Sequence, residues 1–140
     1  MLAPSRGLVV HLAYLWAREQ RAGAIEGRKD RPCLIVDVET RPDGPPIVGV
    51  SPITHSPIGS PLEGVELPPA VKRHLGLDEA QSWVIATEFN RFTWPGFDLR
   101  RTPDGREVYG ELPERLLSVV VRLLAHHARG DGLSRVDRDG

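Results

Sequence analysis

Glu26-Gly27-Arg28-Lys29-Asp30-Arg31-Pro32 runs directly into Cys33-Leu34-Ile35-Val36-Asp37-Val38. A cluster of opposite charges is followed at once by an apolar, β-prone run of the kind that forms a buried strand. Pro32 suits the first residue of such a strand, where a missing N–H costs least. Arg31 is then expected at the mouth of the core on a rigid element, with Glu26 five residues upstream on a glycine-containing loop. A fixed guanidinium near a carboxylate reads either as an anion or phosphate site or as a structural ion pair. On this stretch alone the ion pair comes first and the anion site stays open.

Leu8 to Trp16 on the N-terminal side opens β-branched and then alternates, which predicts a strand with Leu12, Tyr14 and Trp16 on one face. Ala17 to Asp30 is charged and broken by Gly23 and Gly27, so it reads as a long connection. Long loops in compact domains often carry function. On the other side, Arg41-Pro42-Asp43-Gly44-Pro45-Pro46 is a turn, because proline presets φ and Asp-Gly tolerates the bend. Ile47 to His55 is the next strand, and Pro52 within it implies an edge or a bulge of the sort that re-aims side chains at active sites. A proline- and glycine-rich loop over Ser56 to Pro61 leads to a short helix at Pro68 to Gly76, with proline at its start and glycine past its end. Ser82 to Phe89 is a fourth strand, continued to Trp94 and stopped by Pro95-Gly96. Leu116, Leu117, Val120, Val121 and Leu124 recur at helical spacing between Pro113 and Gly130, giving a helix with one face on the sheet. Residues 130–140 are polar and are expected to form a disordered tail. These elements describe one domain over residues 1–140, with an ordered core from about residue 7 to residue 129. Its expected class is α+β: a small, strongly curved antiparallel sheet or barrel with a C-terminal helix.

Composition excludes some functions and leaves others open. Of 140 residues, 40% are apolar and 26% charged, as in soluble globular proteins, and no run approaches the roughly 18 to 20 apolar residues of a membrane span. The N-terminal apolar run is broken by His11 and reaches no cleavage site, which argues against a signal peptide. A single cysteine, Cys33, cannot form an intramolecular disulfide; this favours a reducing compartment, hence the cytoplasm, and Cys33 reads as a small core residue. The net charge of −1 does not advertise a nucleic-acid binder, although a local basic groove suffices for one. Arg18 to Arg31 holds five basic residues against three acidic ones. Trp16, Trp83 and Trp94 are candidates to stack on bases or to line a peptide groove; of these Trp83 reads first as core or interface packing and Trp94, beside Pro95-Gly96, as exposed. His11, His55, His74, His126 and His127 show no metal-ligand spacing, and there is no phosphate-binding glycine loop, dinucleotide fingerprint or nucleophile elbow. No metal and no cofactor is expected.

What remains is the constellation of Glu26, Arg31 and Pro52-Ile53-Thr54-His55. At this point the chain resembles the MazF/PemK/Kid toxins of type II toxin–antitoxin systems. In that family an early strand leads into a loop with an acidic residue. Five residues later an Arg-Pro opens a hydrophobic strand, and the following strand ends in a Pro-Ile-Thr-like segment. Here those features are Glu26, Arg31-Pro32-Cys33-Leu34-Ile35-Val36 and Pro52-Ile53-Thr54; with the strand Val84 to Trp94 and the last helix, the resemblance spans most of residues 8–129. The chain departs from the family at Ala17 to Arg21, at Ile25, at His55 and in an insertion from Ser56 to Gly76. The resemblance implies an SH3-like barrel, a homodimer, and a metal-independent endoribonuclease that cuts single-stranded RNA, mRNA above all. It also implies neutralisation by a small, partly disordered antitoxin.

Metal-free RNA cleavage uses the 2′-OH as internal nucleophile. The protein must then deprotonate that hydroxyl, stabilise a charged phosphorane and protonate the leaving 5′-oxygen. Under the resemblance Glu26 is the candidate base, kept ionised by a nearby Arg31. Arg31 clamps phosphate oxygens, Thr54 hydrogen-bonds the phosphate, and His55, whose side-chain type titrates near neutrality, is the candidate proton donor. Arg28, Lys29, Asn90 and Trp94 are the candidate substrate-binding residues. Two other readings stand beside this one: an SH3-like module that binds a peptide or nucleic acid without cutting, and a gyrase-poison-like toxin of related fold.

Overall fold

The computed structural model describes residues 2–27 and 29–139. Its elements are β1 (Leu8–Ala13), α1 (Ala17–Arg21), β2 (Asp30–Arg41), β3 (Gly44–Thr54), β4 (Gly64–Glu66), α2 (Pro69–Leu75), β5 (Trp83–Ile85), β6 (Glu88–Thr93), β7 (Leu99–Arg100), β8 (Gly110–Glu111), α3 (Glu114–Arg129) and β9 (Ser134–Asp137). The class is α+β, and the sheet is antiparallel except where β9 runs parallel to β6. The sheet does not close on itself.

The β2–β3 hairpin is the spine. Its ends meet at Arg41 and Gly44 across Pro42-Asp43, and its register runs on to Cys33 opposite Pro52. β1 adds to the free side of β2, with Val9 opposite Leu34 and Leu12 opposite Arg31. On its other side β3 changes partner. Ile47 to Val50 pair with β6, whereas Ile53 and Thr54 pair with β5. Pro52 sits in the interval between these two registers, where a residue without an N–H is best tolerated. The change of partner, with register shifts in β2 at Ile35/Asp37 and Glu39/Arg41, bends the sheet strongly.

Alternation divides the core between the two sheet faces. Leu12, Tyr14, Trp16, Cys33, Ile35, Val50 and Phe92 pack on one. Val9, Leu34, Ile53, Leu75 and Val84 pack on the other, covered by Val120 and Leu124 of α3. Each such side chain contributes about 1.5–3 kcal/mol by leaving water. Cys33 is fully buried, as the apolar run predicts. α2 ends at Gly76 in the left-handed region (φ 74°), a conformation that only glycine adopts without strain.

Four expectations are corrected. The tail is ordered through Asp139: β9 pairs with β6 from Glu88↔Ser134 to Arg91↔Asp137, and Val136 is fully buried. Polar groups hold it, since Arg138 Nη1 donates to Ala13 O (3.0 Å) and Asn90 Oδ1 (2.8 Å) and Nη2 pairs with Asp98. The Asp139 carboxylate accepts from Thr93 N and Oγ1 at 2.8 and 2.6 Å. Trp94 is 7% exposed and packs in the first cluster, because the chain after β6 folds back over that face. The fourth strand is two, β5 and β6, which serve different stretches of β3. The connection after Trp16 holds the short helix α1, whose first turn is tied by the Trp16 N–H to Glu19 Oε1 at 3.0 Å.

Candidate functional site

A cleft of about 700 Å³ opens where β2 begins and β3 ends. Arg31 and Thr54 both line it: the register that sets Cys33 opposite Pro52, carried two residues further, sets Arg31 opposite Thr54. Lys29 enters from the loop before β2, Asp30 from the first position of β2, Trp16 and Arg18 from the start of α1, and His11 from β1. His55 to Ile58 and the α2–β5 segment with Asp78 and Ser82 close the opposite side, and Tyr109 lies beside His11. Gly27 lets the loop approach closely, for a Cβ there would lie 2.3 Å from Tyr14 O.

Trp16 is fixed from behind. Glu88 Oε1 accepts the Tyr14 hydroxyl (3.0 Å) and the Ala17 N–H (2.9 Å). Asn90 exchanges two hydrogen bonds with the Leu15 backbone, at 2.9 and 2.7 Å, imitating a strand partner. The ring so held carries two cations, Arg18 Cζ at 4.7 Å and Arg31 Cζ at 5.1 Å from its centroid. Among the described residues no carboxylate lies within ion-pair distance of Arg31, and its buried Nε has no partner. The charge is oriented by an aromatic face, and its terminal Nη donors have no partner among the described residues, which suits a bound anion.

His55 belongs to a second arrangement. Its Nε2 bonds the Asp78 carboxylate at 3.0–3.1 Å. Asp78 Oδ1 also accepts Lys72 Nζ at 3.1 Å. Lys72 is 4% exposed, and its ammonium further donates to Ser82 Oγ (2.7 Å) and Ala80 O, so each of its three hydrogens has an acceptor. Partial burial pushes the Asp78 carboxyl up, but the Lys72 hydrogen bond, the His55 and Lys72 charges and the Ala80 N–H outweigh it and hold the group below its ordinary value. Thr54 is buried, and its Oγ1 accepts the Ser56 N–H at 3.1 Å, leaving the hydroxyl hydrogen to donate.

His11 Nδ1 lies 2.7 Å from the Tyr109 hydroxyl, with the rings edge to face at 5.7 Å. Burial lowers the His11 pKa below 6.5, Asp30 opposing and Arg100 adding to the effect. Burial pushes the Tyr109 phenol up to about 12. Among the described residues no three His, Cys, Asp or Glu side chains group as metal ligands.

Of the residues singled out from sequence, Arg31, Thr54, His55 and Lys29 line the cleft together. Glu26 does not: it is exposed, and it is not part of the cleft wall. Arg28 lies outside the described residues. Asn90 and Trp94 are corrected as substrate contacts. Asn90 is fully buried, with its amide spent on Leu15 and Arg138, and Trp94 is a core residue. Sequence reasoning had Trp16 only among three tryptophans that could stack on bases and Arg18 only within a basic stretch, and it missed His11, Tyr109 and the Lys72–Asp78 pair. His11 had a signal as the one ionisable residue inside the apolar run of β1, and Lys72 as a cation three residues before the buried Leu75. Asp78, in a polar loop, had none.

No family model matches this chain, and no curated protein matches it. Among solved structures it is similar to a chain of the MazE–MazF complex (Form-II) from Deinococcus radiodurans, with a TM-score of 0.53 and 21% identity. The match covers 91% of this chain and 97% of that one. The likeness is one of fold.

Proposed function

We propose that this chain is a MazF-like toxin: an endoribonuclease that cuts single-stranded RNA without a metal and is neutralised by a cognate antitoxin. The observation that carries the reading is the open guanidinium of Arg31, seated on Trp16 and opposite Thr54 in one cleft with Lys29, Arg18 and His55. Arg31 binds the non-bridging oxygens of the scissile phosphate, and its interaction strengthens as charge accumulates in the phosphorane. Thr54 donates its hydroxyl hydrogen to the same phosphate. Lys29 and Arg18 hold the flanking phosphates. His55 carries a proton at the leaving 5′-oxygen. The fold shared with a chain of a MazE–MazF complex supports the antitoxin as partner. The resemblance implies a homodimer, and a free, buried Cys33 agrees with action in the cytoplasm.

The position of Glu26 favours a second reading, in which the cleft holds RNA without cutting it, since the expected carboxylate base is not on the wall. One experiment separates the two. Purified protein is incubated with end-labelled single-stranded RNA in excess EDTA. Fragments ending in 2′,3′-cyclic phosphate establish the ribonuclease, a stable complex with intact RNA selects the binding module, and the absence of both fragments and complex overturns both readings.

A further inference from the structure

We propose that the two proton transfers of this cleft run between histidines, with His11 as general base and His55, held by Asp78, as general acid, and that Glu26 takes no part. The proposal rests on the ribonuclease reading and deepens it. Each imidazole has one nitrogen committed to a fixed protein group: His11 Nδ1 to the Tyr109 hydroxyl at 2.7 Å, His55 Nε2 to the Asp78 carboxylate at 3.0–3.1 Å. That leaves His11 Nε2 and His55 Nδ1 for substrate, and both residues line the same cleft.

Their spacing follows from the sheet. His11 is opposite Pro32, and the β2–β3 register continued sets Pro32 opposite Ile53, so His11 and Ile53 are two strand intervals apart, about 10 Å. His55 follows Ile53 by two residues. A base and an acid set apart in this way, both lining the cleft that also holds Arg31 and Thr54, can take the two sides of one phosphodiester.

The bonding balances. In its base form His11 donates Nδ1–H to the Tyr109 oxygen and presents the Nε2 lone pair. It takes the proton of the 2′-OH, the 2′-oxygen bonds to phosphorus, and the bond from phosphorus to the 5′-oxygen breaks. That oxygen receives the proton from Nδ1 of doubly protonated His55, whose other N–H stays on Asp78. The products are a 2′,3′-cyclic phosphate and a free 5′-hydroxyl; solvent returns one proton and removes the other. No oxidant, metal or water is consumed. The Tyr109 oxygen accepts from Nδ1–H before and after the transfer, so the ring is held throughout. The environment of His11 suits a base, since burial and the Arg100 charge favour its neutral form against the single opposing carboxylate of Asp30. His55 faces Asp78, with Lys72 behind it, while Glu63 and Asp104 are the other carboxylates of the wall.

The test compares two RNA substrates, one natural and one with sulfur replacing the 5′-bridging oxygen, a leaving group that departs without protonation. His55→Ala is expected to lose roughly 10²- to 10⁴-fold on natural RNA and to recover on the sulfur substrate. His11→Ala should lose about as much on both substrates, because its proton transfer precedes the leaving step. Glu26→Gln should stay within about threefold of wild type. Tyr109→Phe, which removes one hydroxyl, covers the case of an unfolded His11→Ala: it should lower kcat on both substrates by about tenfold with little change in KM. Wild-type cleavage with His11→Ala and Tyr109→Phe undiminished, or with Glu26→Gln as impaired as expected for His11→Ala, overturns this assignment and leaves the ribonuclease standing. A wild type that cuts neither substrate overturns both.

Discussion

Arg31 lies over the ring of Trp16, its Cζ 5.1 Å from the ring centroid, and it makes no ion pair among the described residues. The charged stretch that opens β2 therefore does not neutralise itself through Glu26. A guanidinium held by an aromatic face keeps its in-plane donors for a ligand. Carboxylate and phosphate oxygens both match that fork, and the proposed RNA substrate supplies phosphate.

A planar fork and a point charge are expected to behave differently here. Arg31→Ala should lower single-turnover cleavage of single-stranded RNA by on the order of 10² to 10⁴, and Arg31→Lys should restore little of it, because lysine neither stacks on Trp16 nor binds two oxygens at once. Full activity of the lysine variant would leave a mere requirement for positive charge. Trp16→Leu, which removes the platform and keeps Arg31, should weaken RNA binding in a filter assay.

Lys72 is a buried cation whose three hydrogens are all accepted by Asp78, Ser82 and Ala80. Lys72→Ala strips those acceptors of their donor and should cost about 2–4 kcal/mol in urea unfolding. Asp78 adds a pH signature. Its folded pKa is below 3.8, so its contribution is present above that value and is lost as pH falls through the lower folded value. A stability profile of Lys72→Ala should be flatter than wild type in that acid window. An unchanged profile would show that Lys72 does not act through Asp78.

Elements with one-dimensional apolar signals were legible in the sequence. β2 reads from Cys33 to Val36, α3 from the spacing of Leu116 to Leu124, and α2 from its flanking proline and glycine. The assembly of Arg31 with Thr54 was legible too, because strand order and a short hairpin leave few alternatives for two adjacent antiparallel strands. What stayed hidden depends on polar contacts between distant residues. β9 holds one fully buried apolar side chain, Val136, and is otherwise anchored by Arg138 and Asp139 to residues more than 35 positions away, which no periodicity records. Asn90 reads like a surface amide, yet it pairs with the Leu15 backbone. Glu26 was placed by its spacing from Arg31, but the glycine-bearing loop between them does not bring it to the cleft.

Cys33 should be chemically silent in the native state. It is fully buried between β1 and β3, and burial pushes its thiol pKa far above the ordinary range, only partly offset by the Arg31 and Arg138 charges. Reaction with an aromatic disulfide reagent is expected only through opening of the sheet, at a rate that rises with urea. Rapid stoichiometric labelling in buffer would mean that the β1–β2–β3 core opens locally.

The C-terminal strand should matter to the cleft as well as to stability. Arg138, 5% exposed at its side chain, binds Ala13 O, Asn90 Oδ1 and Asp98, and the same Asn90 oxygen accepts the Leu15 N–H next to Trp16. Removing the guanidinium leaves a backbone carbonyl without its partner, leaves Asp98 only its 4.0 Å ion pair with Arg100, and frees one side of the amide that positions the Trp16 segment. Arg138→Ala should therefore cost about 2–4 kcal/mol in denaturant unfolding. It should also weaken RNA binding, although Arg138 does not line the cleft. Deleting residues 133–140 goes further: it exposes the edge of β6 along Glu88 to Arg91 and uncovers the site of Val136, so light scattering should report association of the truncated chain. If Arg138→Ala loses stability but binds RNA like wild type, the Asn90 bridge does not reach Trp16; if it keeps its stability as well, the tail is a dispensable addition to the sheet.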